Sequence, residues 1–142
     1  MKETTEETDS PEKTFDSAFE LARRNPRASL FYLHGDLGAG KTVFTKGIAS
    51  FHGIDPSRVT SPTFALVQRH SGGNRVLYHI DLYRIDDERE LAELGIEDME
   101  EEGAVLVVEW AEKLGRRRRE EAIDVTLEAI SENRRRITRR CP

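Results

Sequence analysis

The chain has 142 residues, 37% hydrophobic and 35% charged, with a formal net charge of −5. That length suits a single domain with a real core, and no apolar run approaches a membrane span or forms a signal peptide. The one cysteine, Cys141, has no internal partner for a disulfide, so the expected compartment is the reducing cytoplasm.

Charge is unevenly spread. Between Asp86 and Glu102 there are ten acids and one arginine, whereas Gly115 to Pro142 holds nine arginines against five acids. A basic end of this kind can touch RNA phosphates, but an interspersed, solvated face is the simpler reading.

In chain order, residues 1–13 are polar and acidic without apolar periodicity, which predicts a disordered tail ahead of a single domain over 14–142. Phe15, Ala18, Phe19 and Ala22 recur at helical spacing up to Arg24. Ser29–His34 reads as a strand, Gly35–Gly40 as a tight loop, and Lys41 to about Phe51 as a helix stopped near Gly53 and Pro56. Phe64–His70 and Arg75–Tyr83 are β-rich runs joined at Ser71-Gly-Gly-Asn74, a hairpin signal. Asp86–Leu94 and Ile96–Glu101 read as short acidic helices. Ala104–Val108 is a continuous apolar run ending at Glu109, as a fully buried central strand requires. Ile123–Ile130 and Arg134–Arg140 form a second hairpin pattern across Ser131-Glu-Asn133. The sum is one α/β domain.

Gly35-Asp36-Leu37-Gly38-Ala39-Gly40-Lys41-Thr42 fits G-x-x-x-x-G-K-[ST] at every required position, between a predicted strand and a predicted helix. Glycines let successive backbone N–H groups turn inward, and the helix N-terminus adds its positive dipole end. Lys41 is then expected on the β- and γ-phosphates of a nucleoside triphosphate, and the Thr42 hydroxyl on Mg²⁺. Asn25, Asn74 and Asn133 are followed by Pro, Arg and Arg, so the guanine-reading Asn-Lys-x-Asp motif is absent and ATP is favoured.

A site of this kind needs a further acid near Mg²⁺, usually at the end of a hydrophobic strand. Asp81, after Val76–Ile80, and Glu109, after Ala104–Val108, both qualify, and in a parallel sheet both strand ends would face the ligand crevice. Their spacing does not decide which one ligates metal directly. Thr60-Ser-Pro-Thr63 offers hydroxyl donors beside a rigid proline, as a γ-phosphate-sensing switch needs. His34 and His79 lie in or beside strands and read as packing or supporting residues rather than metal ligands.

Five motifs stand in order: Gly35–Thr42, Ser61-Pro-Thr-Phe64, His79-Ile-Asp-Leu-Tyr-Arg84, Glu90-Leu…Gly95-Ile96 and Val108-Glu-Trp110. Together, over roughly Thr14 to Arg136, they resemble the TsaE (YjeE) family, bacterial ATPases of tRNA threonylcarbamoyladenosine synthesis. The resemblance implies a P-loop NTPase-like three-layer α/β/α fold with a central mixed sheet. It also implies a weak ATPase that resets a TsaD–TsaB complex between turnovers, meets tRNA through that complex and does not itself transfer the threonylcarbamoyl group. Thr42 and Glu109 would then contact Mg²⁺, Thr63 would belong to the first switch and Asp81 to the second, with Trp110 near the nucleotide or the partner. Two features depart from the family pattern: Thr14 is followed by Phe15-Asp-Ser-Ala18 rather than an early glycine, and Arg116–Arg119 matches no family motif. Two other classes fit a phosphate loop: a small-molecule kinase using Arg116–Arg119 as a lid, and an adaptor that binds ATP without hydrolysing it.

Overall fold

The computed structural model describes residues 1–61 and 66–142. A seven-stranded mixed sheet runs through the molecule in the order β1-β7-β6-β2-β5-β4-β3. These strands are β1 (Lys2–Thr8), β2 (Leu30–His34), β3 (Val67–His70), β4 (Leu77–Asp81), β5 (Val105–Glu109), β6 (Ile123–Ala129) and β7 (Arg135–Cys141). The helices are α1 (Pro11–Arg24), α2 (Lys41–Phe51), α3 (Glu88–Glu93) and α4 (Ile96–Glu101). Strands β4, β5, β2 and β6 are parallel neighbours, while β3, β7 and β1 pair antiparallel at the two sides.

Alternation along the strands builds two cores. Phe31, Leu33, Val105, Val107, Val125 and Leu127 face α1 and α2, where they meet Ala18, Phe44 and Ile48. Tyr32, Tyr78, Ile80, Leu106 and Val108 face the opposite way onto Leu91, Ile96, Met99 and Leu114. The result is three layers, helix–sheet–helix. Strand β5 is buried along its whole length, which accounts for its uninterrupted apolar run. Helices α1 and α2 approach closely at Gly47, where a Cβ would stand 2.4 Å from the Phe15 carbonyl oxygen and 2.6 Å from the Ala18 Cβ.

The expected disordered tail over residues 1–13 is corrected. Lys2–Thr8 is an edge strand on β7, and α1 starts at Pro11 with the Ser10 hydroxyl accepting from the Lys13 N–H. No apolar stripe marks β1 because polar pairs hold it. Glu3 lies 3.3 Å from Arg140, Glu6 lies 3.5 Å from Arg139, and the Thr5 and Thr138 hydroxyls are 3.4 Å apart.

The uneven charge also finds its partner inside the chain. A 3-10 segment over Ala111–Arg117 brings the arginine run against the acidic helices. Arg116 reaches Glu88, Arg117 pairs with Glu97, and Arg119 sits 3.1 Å from Glu100. Arg118 turns to Asp124 and lies over the Tyr32 ring at 4.9 Å.

Candidate functional site

Strand β2 sits between β5 and β6, and the chain leaves its carboxyl end into the loop 35–40 before entering α2. In a parallel sheet this is where a crevice opens and a helix N-terminus can face an anion. Gly40 caps α2 at φ 105° with no side-chain cap, so no side chain occupies the helix entrance. Gly38 at φ 83° supplies the other left-handed bend. Gly35 meets a different constraint, because a Cβ there would lie 2.6 Å from the Leu127 carbonyl oxygen of β6.

Lys41 is half-buried at the start of α2. Its ammonium donates to the Gly35 carbonyl at 2.6 Å and stands 3.5 Å from Glu109 Oε1. Glu109 is buried at the end of β5, and its other oxygen lies 2.6 Å from His79 Nε2. Burial alone would raise the Glu109 pKa, but the hydrogen bond and charge of His79 and the Lys41 ammonium outweigh it and hold the carboxyl below its ordinary range. Glu109 is thereby kept ionised in a nearly dry place.

The register explains the convergence. Leu33 of β2 and Asp81 of β4 both stand opposite Glu109 of β5, so three neighbouring strands end at one level. Asp81 remains partly open to solvent and accepts the Tyr83 N–H at 2.9 Å. The next residue after Glu109, Trp110, has φ 60°, the one non-glycine with positive φ among the described residues. It packs against Tyr83 with ring centroids 5.0 Å apart, and Lys113 fixes that corner by donating to the carbonyls of Tyr83 and Ile85.

The structure therefore brings Lys41, Thr42, Asp81, Glu109 and Trp110 to one end of the sheet. Asp36 and Leu37 form the solvent-facing apex of the loop, Leu37 being 99% exposed, while Ala39 is buried beneath it. Thr63 lies outside the described residues. Thr14 is buried, with its hydroxyl 2.7 Å from that of Thr8 and its methyl near Gly40, so it supports the loop from below. His34 instead points to Asp124 at 2.8 Å, on the open face of β6.

Sequence alone reads His79 only as a packing or supporting residue and does not mark Arg135 at all. His79 lies two positions before Asp81 and so shares its face of β4, a period-two signal that was available. Arg135 grips the loop carbonyls from β7, and nothing in the run Arg134-Arg-Arg136 distinguishes it from its neighbours.

The donor set suits Mg²⁺ better than a metal held by protein alone. Among the described residues there is no cluster of three or more His, Cys, Asp or Glu side chains, whereas an ionised carboxylate and a hydroxyl at a phosphate loop are what Mg²⁺ uses alongside phosphate oxygens.

Comparison with known proteins agrees with this architecture. A family model described as threonylcarbamoyl adenosine biosynthesis protein TsaE matches residues 8–137. Relatives bearing the name tRNA threonylcarbamoyladenosine biosynthesis protein TsaE include one from Bacillus subtilis, 36% identical over 138 residues, covering 97% of this chain and 85% of the relative. One from Rickettsia conorii is 36% identical over 126 residues, covering 89% and 71%. One from Mycobacterium tuberculosis H37Rv is 42% identical over 113 residues, covering 74% and 67%. The crystal structure of Bacillus subtilis YdiB superposes with a TM-score of 0.71 at 28% identity, covering 99% of this chain and 86% of that one. With the loop, the converging strand ends and these likenesses together, the chain belongs to the TsaE family of tRNA threonylcarbamoyladenosine biosynthesis proteins.

Proposed function

We propose that this protein is a Mg²⁺-dependent ATPase that acts in the cytoplasm on a TsaD–TsaB complex during threonylcarbamoylation of the adenosine beside the tRNA anticodon. The observation that carries this reading is the meeting of Lys41, Glu109 and Asp81 beneath a glycine loop at the carboxyl ends of adjacent parallel strands.

Lys41 is held by Gly35 and Glu109. A polyphosphate entering the loop competes for that ammonium with more charge than one carboxylate offers. Lys41 then moves to the β- and γ-phosphates, and the α2 amides face the same anion. Thr42 and the freed Glu109 oxygen would hold Mg²⁺, which when bound neutralises charge on the phosphates. His79 keeps Glu109 oriented through its 2.6 Å contact, and Asp81 orients water at the open side. A phosphate loop lacking a well-placed stabilising cation is slower by about 10³–10⁵-fold than a complete one, so hydrolysis alone is slow and partner binding accelerates it. Arg116–Arg119 are each paired with an acid of this chain, which argues against their serving as a kinase lid.

Phosphate release measured with and without TsaD–TsaB, alongside mass spectrometry of the tRNA, tests the proposal. Stimulated release coupled to sustained tRNA modification is expected. Partner binding without phosphate release would instead make the protein an adaptor, and transfer to an acceptor without TsaD–TsaB would make it a kinase.

A further inference from the structure

Arg135 opens β7 on the far side of the phosphate loop from Glu109 and belongs to none of the motifs discussed above. Its Nε donates to the Ala39 carbonyl at 3.1 Å, and one terminal nitrogen donates to the Gly38 carbonyl at 3.1 Å. The other terminal nitrogen reaches the carbonyls of Ser131, Glu132 and Arg134 at 2.8, 3.2 and 2.9 Å. Among the described residues, every hydrogen bond of this guanidinium goes to a main-chain carbonyl. No carboxylate among the described residues pairs with it.

That choice of partners has a consequence for the anion site. A carbonyl oxygen facing a phosphate is repulsive, whereas the N–H of the same planar trans peptide points the opposite way. Across the trans Ala39–Gly40 peptide, holding the Ala39 oxygen on Arg135 turns the Gly40 N–H away from Arg135. The Ala39 N–H is meanwhile used on the Asp36 carbonyl, which closes the turn that Gly38 shapes. The planar fork of an arginine can hold two loop carbonyls and the β6–β7 turn together, which a lysine ammonium cannot. Its positive charge also favours a polyanion nearby.

We propose that Arg135 is a positioning residue for phosphate binding: it fastens the carbonyls of Gly38 and Ala39 to the β6–β7 turn and so presets the Gly40 N–H for a polyphosphate. The proposal rests on the reading of loop 35–42 as a nucleotide site and adds a residue that no motif marks.

The test compares the full chain carrying Arg135, Arg135→Ala and Arg135→Lys in calorimetric titrations with ATP, ADP and inorganic tripolyphosphate, with thermal unfolding run in parallel. Arg135→Ala should weaken all three ligands at least tenfold, since the loss lies at the phosphates and not the base. Arg135→Lys should restore part of the affinity and not all of it, and it decides the matter alone if the alanine variant does not fold. Affinities within twofold of wild type in the folded variant overturn the proposal. So does full rescue by lysine, which would leave charge alone as the cause. Failure of the wild-type chain to bind any of the ligands removes the nucleotide reading itself, and the proposal with it.

Discussion

His52 shows how a buried side chain outside the site ties stability to pH. It follows α2 and is 3% exposed, with Nε2 buried and without a hydrogen-bond partner among the described residues. Desolvation, helped by the Arg75 charge, lowers its pKa from 6.5 to about 4. A base whose pKa falls on folding stays neutral when folded but takes up a proton when unfolded. Its contribution is therefore complete above about pH 6.5 and is lost as pH falls toward about 4. On that shift, about 2 kcal/mol of stability should disappear between about pH 7 and about pH 5. Urea midpoints at both pH values measure the loss, and His52→Gln should flatten it. An unchanged pH slope in that variant would assign the acid sensitivity to other groups. Glu109 acts in the same direction at lower pH, since its depressed pKa stabilises the folded state until the carboxyl protonates. At this scale the geometry of the loop was legible, because the motif placed left-handed bends at Gly38 and Gly40 and opened a helix at Lys41. Arg135 was not, because its role comes from the carbonyls it meets across 96 positions of sequence, to Ala39.

Among elements, the α1–α2 pair fixes where the loop sits, because α2 carries Lys41 and Thr42 at its first turn. The helices touch through Gly47, where the space for a Cβ is already filled by the main chain of Phe15 and by Ala18. Gly47→Ala must push the helices apart, at about 1–3 kcal/mol for an overpacked core, and tilt the entrance of α2. Chemical denaturation should register the loss, with a weaker nucleotide affinity alongside it; stability equal to wild type would mean that the helices separate without cost. Continuous apolar runs made β2 and β5 readable, because both faces of each are buried, and alternation of buried and open positions made β6 readable. Strand β1 was unreadable for the opposite reason. Lys2–Thr8 buries little and pairs through Glu3, Thr5 and Glu6 with Arg140, Thr138 and Arg139, partners more than 130 residues away by the Thr5–Thr138 separation of 133. The start of α1 was shifted as well, because Ser10-Pro11 carries capping information that an apolar-spacing rule does not weigh.

For the whole molecule, the two charged blocks, whose simpler reading was a solvated face, meet in part across the fold, through Arg116–Glu88, Arg117–Glu97 and Arg119–Glu100. The face left for chemistry is the carboxyl end of the parallel strands, where Leu37, Tyr83 and Trp110 are exposed around the loop. Spacing placed both Asp81 and Glu109 there without ranking them, while the family resemblance gave Glu109 to Mg²⁺; in the fold Glu109 is buried against His79 and Lys41, whereas Asp81 stays open to solvent. The whole account depends on loop 35–42 holding the phosphates of ATP through Lys41. Titration of the wild-type chain and of Lys41→Ala with Mg·ATP, both checked for intact fold by circular dichroism, tests this most directly. Saturable binding by the wild type and a loss of about 100-fold or more in the variant are expected, on the scale of about 2–3 kcal/mol for a charge-assisted contact. Equal ATP affinity in the two proteins would contradict the account.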